Sequence, residues 1–176
     1  MTHSVKISAD KLISTESFKR FIKSVREFCD FIENDAEGAL SFLLSAESRL
    51  QNLYIGGRAL PVIDLNHNAD FDDRMNKAEF EKRLNFIAER LGNNRFYWHV
   101  FDPTKEEDIE AVCGDLLDDF GDIYKDLKNS LLLFDTGTSA EIESAAWTFK
   151  WSFDNHWSDH CINATYALHY FIQHAV

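Results

Sequence analysis

From Thr138 onward neither proline nor glycine interrupts the chain, and apolar residues recur through Ala146, Phe153, Trp157, Cys161, Ala164, Leu168, Phe171 and Ile172. A stripe that steps by three and four over so many turns is the signature of an α-helix, and a helix with such a stripe must bury it against others. Thr138 with Glu141 forms a capping box at its start. The spacing predicts one long helix, kinked near Asn155 to Ser158. Trp147, Trp151 and Trp157 lie along it and are expected to fill the centre of a core.

The preceding segments read the same way. Ser14 or Thr15 caps a helix with the stripe Phe18, Phe21, Ile22, Val25, Phe28, Cys29 and Ile32. Its outer face carries Lys19, Arg20, Lys23 and Arg26, read as a solvated mixed-charge face or as a neutralising partner for acidic residues elsewhere. A second helix runs from Ala39 through Tyr54 and is expected to stop at Gly56 and Gly57. Asp64, Asn66 and Asn68 open like a calcium loop. Ala69 stands where such a loop needs Gly, and Met75 where it needs Glu, so the stretch reads as a polar connector. Asn76 and Glu79 cap a third helix that ends at Gly92. The aromatic run up to Pro103 is expected to be a lone extended plug, with Trp98 and Phe101 turned into the core. Thr104 and Glu107 are expected to begin a short acidic helix. These elements describe an all-α single-domain bundle of about five or six helices over residues 1–176, with 1–13 a loosely ordered N-terminal segment.

The stretch from Asp115 to Phe134 raises the functional question. At roughly 100° per residue, Asp115, Asp118, Asp119, Asp122 and Asp126 share one face, beside an apolar stripe of Leu116, Phe120, Ile123, Leu127, Leu131 and Phe134. Carboxylates at this spacing repel one another, so water, basic side chains, a cation or a basic partner must offset them. The whole chain carries a net charge of −12, the wrong sign for a phosphate backbone, and nucleic acid is not an expected partner. Three cysteines without CxxC spacing fit reduced, mostly buried thiols. With no apolar signal core and no membrane-length apolar run, the expectation is a cytoplasmic protein with no membrane contact.

Several segments carry a resemblance. Leu53-Tyr54 with Leu60-Pro61, the run Tyr97 to Pro103, the run Asp118 to Lys128, and Trp147 to His169 are similar, in order and spacing, to a bacterial family of uncharacterised helical proteins, the domain of unknown function numbered 5063. The specific signatures are Asp118, Asp119, Asp122, Ile123, Tyr124, Asp126 and Leu127 on one helix, and Trp147, Trp151, His156, Trp157 and His160 on another. Gly121 and Ser158 depart from the expected Ala and Gly. The resemblance implies a helical single domain and no particular activity.

Two function classes follow from the residues. In the preferred one the chain is a non-enzymatic binding module (inhibitor, immunity-type or adaptor) that needs no cofactor. It presents Asp115, Asp118, Asp119, Asp122 and Asp126 to a basic protein partner. In the other, Asp118, Asp119, Asp122, His156 and His160 hold a divalent metal ion, since bundles build such sites from carboxylates and histidines on facing helices. The protein is then a metal-dependent hydrolase of a phosphorylated or otherwise anionic small molecule. The sequence Asp118-Asp119-Phe120-Gly121-Asp122 also spells the DDxxD of isoprenoid synthases, but the chain is short for that fold's cavity. No GxSxG elbow, Walker loop or dinucleotide-binding glycine pattern is present.

Overall fold

The computed structural model describes residues 7–34, 38–65, 73–107 and 109–174. Among these residues the elements follow in the order α1 (Ala9–Ile13), α2 (Glu16–Asn34), α3 (Ala39–Ala59), α4 (Lys77–Leu91), β1 (Phe96–His99), β2 (Val112–Asp115), α5 (Leu116–Thr136), α6 (Ser139–Ser152) and α7 (Ser158–His174), with β1 and β2 paired as a ribbon. The fold is therefore helical, with one small sheet. The aspartate helix α5 is its axis, touching α2, α4, α6 and α7, while α3 closes the far side against α2 and α7.

The apolar stripes meet where their periodicity puts them. Phe18, Phe21, Val25, Phe28 and Ile32 of α2 are buried, as are Phe120, Ile123 and Leu127 of α5. Phe120 stacks on Phe28 and tilts against Phe42, so α5, α2 and α3 share one aromatic seam. Trp157, fully buried, lies against Phe21 and Phe153. Truncating so large a side chain typically costs ~3–5 kcal/mol. The caps stand as the sequence has them at Thr15, whose hydroxyl accepts from the Phe18 N–H, and at Asn76 and Thr138.

Several expectations are corrected. Gly56 and Gly57 do not stop α3, which continues to Ala59. A Cβ on Gly57 would stand 2.8 Å from the Trp157 ring and 2.5 Å from that of Phe153, so this glycine is where two helices approach closely. Of the N-terminal segment 1–13, residues 7–13 carry α1, which buries Ala9 and Leu12, and Ile7 bridges to Ile63, while residues 1–6 lie outside the described residues. Residues 66–72 of the polar connector, with Asn66, Asn68 and Ala69, lie outside the described residues.

The aromatic run is not a lone plug. It pairs antiparallel with β2, Tyr97 opposite Gly114 and Trp98 opposite Cys113. Alternation then turns Tyr97 inward and leaves Trp98 exposed, and Phe101 beyond the strand is exposed as well. No helix forms at Thr104 among the described residues, because both its N–H and its hydroxyl donate to the Asp102 carboxylate, which makes a turn of this segment. Of the three tryptophans of the C-terminal stretch only Trp157 is fully buried. Trp151 is half exposed and stacks on the partly buried Trp147.

The kink has a definite form. Between α6 and α7 the helix widens into a single π turn over Phe153–Trp157. A π turn takes up one extra residue without breaking the backbone hydrogen bonds. It buries both Phe153 and Trp157 while His156 stays at the surface.

A candidate metal centre between α5 and α7

The π turn and the first turn of α7 set two imidazoles against the aspartate face of α5. His156 and His160, one helical turn apart, have ring centres 5.0 Å from each other. Each imidazole is held at Nδ1 by a different carboxylate: His156 by Asp126 at 2.9 Å and His160 by Asp119 at 2.8 Å. Both Nε2 atoms then face the same oxygen of Asp122, Oδ2, at 3.8 Å for His156 and 3.4 Å for His160. One donor atom from each of Asp122, His156 and His160 lies within 4.8 Å of the other two. The spacing of Asp119, Asp122 and Asp126 matches that of the histidines, so the carboxylates alternate between holding a ring and facing the gap.

Asp119 is the buried member, 4% exposed, and also accepts from the Tyr97 hydroxyl at 2.7 Å. Burial pushes its carboxyl above the ordinary value, opposed by the hydrogen bonds from His160 and Tyr97. The Asp119 hydrogen bond in turn raises the His160 imidazole, against the effect of its own burial. Tyr97 reaches Asp119 because β2 offers Gly114 beneath its ring, where any Cβ would collide with the phenol.

The five aspartates thus have separate surroundings. Asp115 caps α5 by accepting from the Leu117 N–H and pairs through both oxygens with Arg95. Burial works against its charge, yet Arg95 and that cap hold its carboxyl below the ordinary value. Asp118 is exposed at the rim, and Asp119, Asp122 and Asp126 face the histidines. The basic face of α2 does not meet them: Lys19 and Lys23 pair within α2, and Arg26 pairs with Asp135 at the far end of α5. Tyr97 was missed in the sequence because it reaches the site only through β2. The inward phase of β1 and the small residue at Gly114 were its one signal.

Two clefts open on either side of His156. One, of about 570 Å³, runs under the ribbon past Tyr97, His99, Asp118, Asp159 and Asn163. The other, of about 510 Å³, lies between α5 and α6 and is lined by Lys125, Asn129, Thr148, Trp151 and Asn155. Together with the imidazoles and Asp122 they define a helical bundle with an Asp/His centre opening to solvent on two sides. The chain belongs to the family described as domain of unknown function DUF5063, which matches residues 13–174. Its fold is similar to that of protein BF1032 from Bacteroides fragilis, known from a crystal structure, with 20% identity, a TM-score of 0.77, and coverage of 90% of this chain and 93% of that one. No curated protein matches the sequence.

Proposed function

We propose that Asp122, His156 and His160 bind a divalent transition-metal ion, and that the protein is a metal-dependent hydrolase of an anionic small molecule. The observation that carries the reading is the division of labour among the histidine nitrogens. Each Nδ1 is occupied by a carboxylate, which fixes the ring and the tautomer, and each Nε2 is left facing a third carboxylate. Metal-bound histidines are commonly held in this way by outer carboxylates. Zinc with ligands at about 2.0–2.1 Å in a tetrahedron separates them by roughly 3.4 Å, so the 3.4 and 3.8 Å spacings from Asp122 to the two rings need little contraction, and the two rings, with all three ligand atoms within 4.8 Å, close by a modest rotation. Three protein ligands leave a coordination position for water, whose pKa a bound ion lowers.

An acidic docking face draws less support, because Asp115, Asp119 and Asp126 are engaged with Arg95, Tyr97 and the histidines. The anionic character of the substrate draws on Lys125 in the cleft beside Trp151, a lysine that stands 3.6 Å from Asp73 and must exchange that partner for the substrate. Asp118 and Asp159 line the opposite cleft and repel an anion. Thermal unfolding after EDTA treatment, then with added zinc, cobalt or manganese, tests the binding step. An ion present at a hundred times its Kd stabilises by ~2.7 kcal/mol, which is about 5–10 °C for a chain of this size. His156→Ala and Asp122→Asn should each abolish the shift. An unchanged midpoint in the parent with every metal overturns the reading. A shift without hydrolysis of phosphate-ester substrates retains the metal site and rejects the hydrolase.

A further inference from the structure

On the side formed by α3 and α7 the surface changes character. The chain has a net charge of −12, yet from Ile162 to His174 there is no Asp, Glu, Lys or Arg. The outward residues of α7 here include Ile162, Tyr166 and Tyr170, each close to half exposed, with the two tyrosine rings edge to face. Beside them the outer line of α3 presents Leu40, Leu44, Gln51 and Ile55, the last 67% exposed. An apolar groove of about 420 Å³ joins the two helices, lined by Gln51, Tyr54, Ile55, Ile162 and Tyr166. Depletion of charge with enrichment in aromatic and aliphatic side chains marks the centre of protein interfaces.

The geometry points to this face as the two-fold interface of a homodimer, with α3 of one copy antiparallel to α3 of the other. The arrangement of charge at the edge of the face selects the occupant. Glu47 and Arg58 fall on nearly the same line of α3, eleven residues or about 16 Å apart. Neither has an ion-pair partner among the described residues. They bracket the uncharged centre of the face at Gln51 and Ile55. A two-fold axis through that centre sets Glu47 of each copy against Arg58 of the other, so a single pair of residues supplies two opposite-charge contacts. Such self-complementarity is what an isologous interface requires. Between molecules of this net charge close approach is repulsive, and the uncharged face is where that repulsion is least. The strip from Leu40 to Arg58 is about 27 Å long and two helices wide, of the order of the ~800 Å² per partner of a standard interface.

Sedimentation velocity and light scattering on the EDTA-treated chain, at concentrations up to about 100 µM, test the inference independently of any metal. The parent should show twice the monomer mass, and Tyr166→Glu or Ile55→Glu should return it to monomer. Both side chains are exposed, so circular dichroism should match the parent. Glu47→Arg and Arg58→Glu should each weaken association at least tenfold, while the double variant should restore it. A parent that is monomeric throughout overturns the inference. So does a dimer unaffected by Ile55→Glu and Tyr166→Glu, or charge variants whose effects simply add.

Discussion

Three glycines separate close packing from mere helix propensity. Gly57 lies under Phe153 and Trp157, both fully or almost fully buried, and neither ring can move without repacking the core. Gly57→Ala should therefore cost ~1–3 kcal/mol as overpacking, more than the ~1 kcal/mol that Ala gains in a helix. At Gly121, in mid-α5, an added Cβ comes too close to the end of the Leu84 side chain, at 2.8 Å, which can rotate away, and makes an ordinary contact with Phe80 at 3.7 Å. Gly121→Ala should be close to neutral, because the helix gain offsets a small rearrangement. Gly114→Ala should expel the Tyr97 ring and with it the hydrogen bond to buried Asp119, an expected loss of ~1–3 kcal/mol. Denaturant midpoints for the three variants check the order. If Gly57→Ala were as stable as Gly121→Ala, the assigned contact with Trp157 would be wrong. Thiol chemistry divides as sharply. Burial pushes the Cys29 and Cys161 thiols up to about 12, whereas Cys113 on β2 is exposed. Ellman's reagent should titrate one thiol quickly in the native protein and the other two only on unfolding.

Among the elements, the π turn is the one that places chemistry. Phe153 and Trp157 face the core on its two ends, and His156 between them reaches Asp126 across to α5. Deleting Asn155 should return the segment to plain α-helix and, by removing the widened turn that carries it, move His156 off its place opposite Asp126. The expected cost exceeds ~2 kcal/mol, with loss of any metal-induced stabilisation. Asn155→Ala, which keeps the residue count, should retain both within ~1 kcal/mol. Unfolding curves with and without zinc separate the two variants, and a deletion as stable as the parent would show that the π turn is not required.

This element also marks where the sequence was legible and where it was not. A stripe with period 3.6 and capping residues three apart fix helices locally, which is why α2, α4 and the C-terminal run were readable with their caps, while α5 was readable by its stripe and its cap Asp115 only as part of the acidic face. The ribbon was not, because β2 is four residues with a glycine inside it, and its register pairs residues such as His99 with Val112 and Phe96 with Asp115, well separated along the chain. The Asp/His pairs at i,i+3 and i,i+4 were visible on each helix separately. That Nδ1 of each ring would be taken by one aspartate and Nε2 left to another depends on the depth of α7 against α5, which no spacing within one helix encodes.

At the scale of the whole molecule, charge and packing are arranged in sectors around α5. One side meets α2, where Glu33 accepts from Tyr124 and pairs with Lys128. Another meets the histidines, and exposed carboxylates gather nearby on the connection between β1 and β2, at Glu106, Glu107 and Glu110, and at Asp118 on the first turn of α5. The face made by α3 and α7 has almost none of it. A chain whose charge were spread evenly would keep its copies apart on every side, whereas here the repulsion is weakest on the side of α3 and α7.

The contacts between α5 and α7 form a ladder: Asp126 with His156, Asp122 between both histidines, and Asp119 with His160. Its rungs follow one another by about a helical turn, so sliding α7 along α5 by one turn, about 5.4 Å, would leave an end rung unmatched. An ion clasped between Asp122 and both rings would pin that ladder like a bolt through two sliding rails. Its mechanical effect would be felt as resistance to peeling of the C-terminal helix from the bundle, a local stiffness along one edge of the protein.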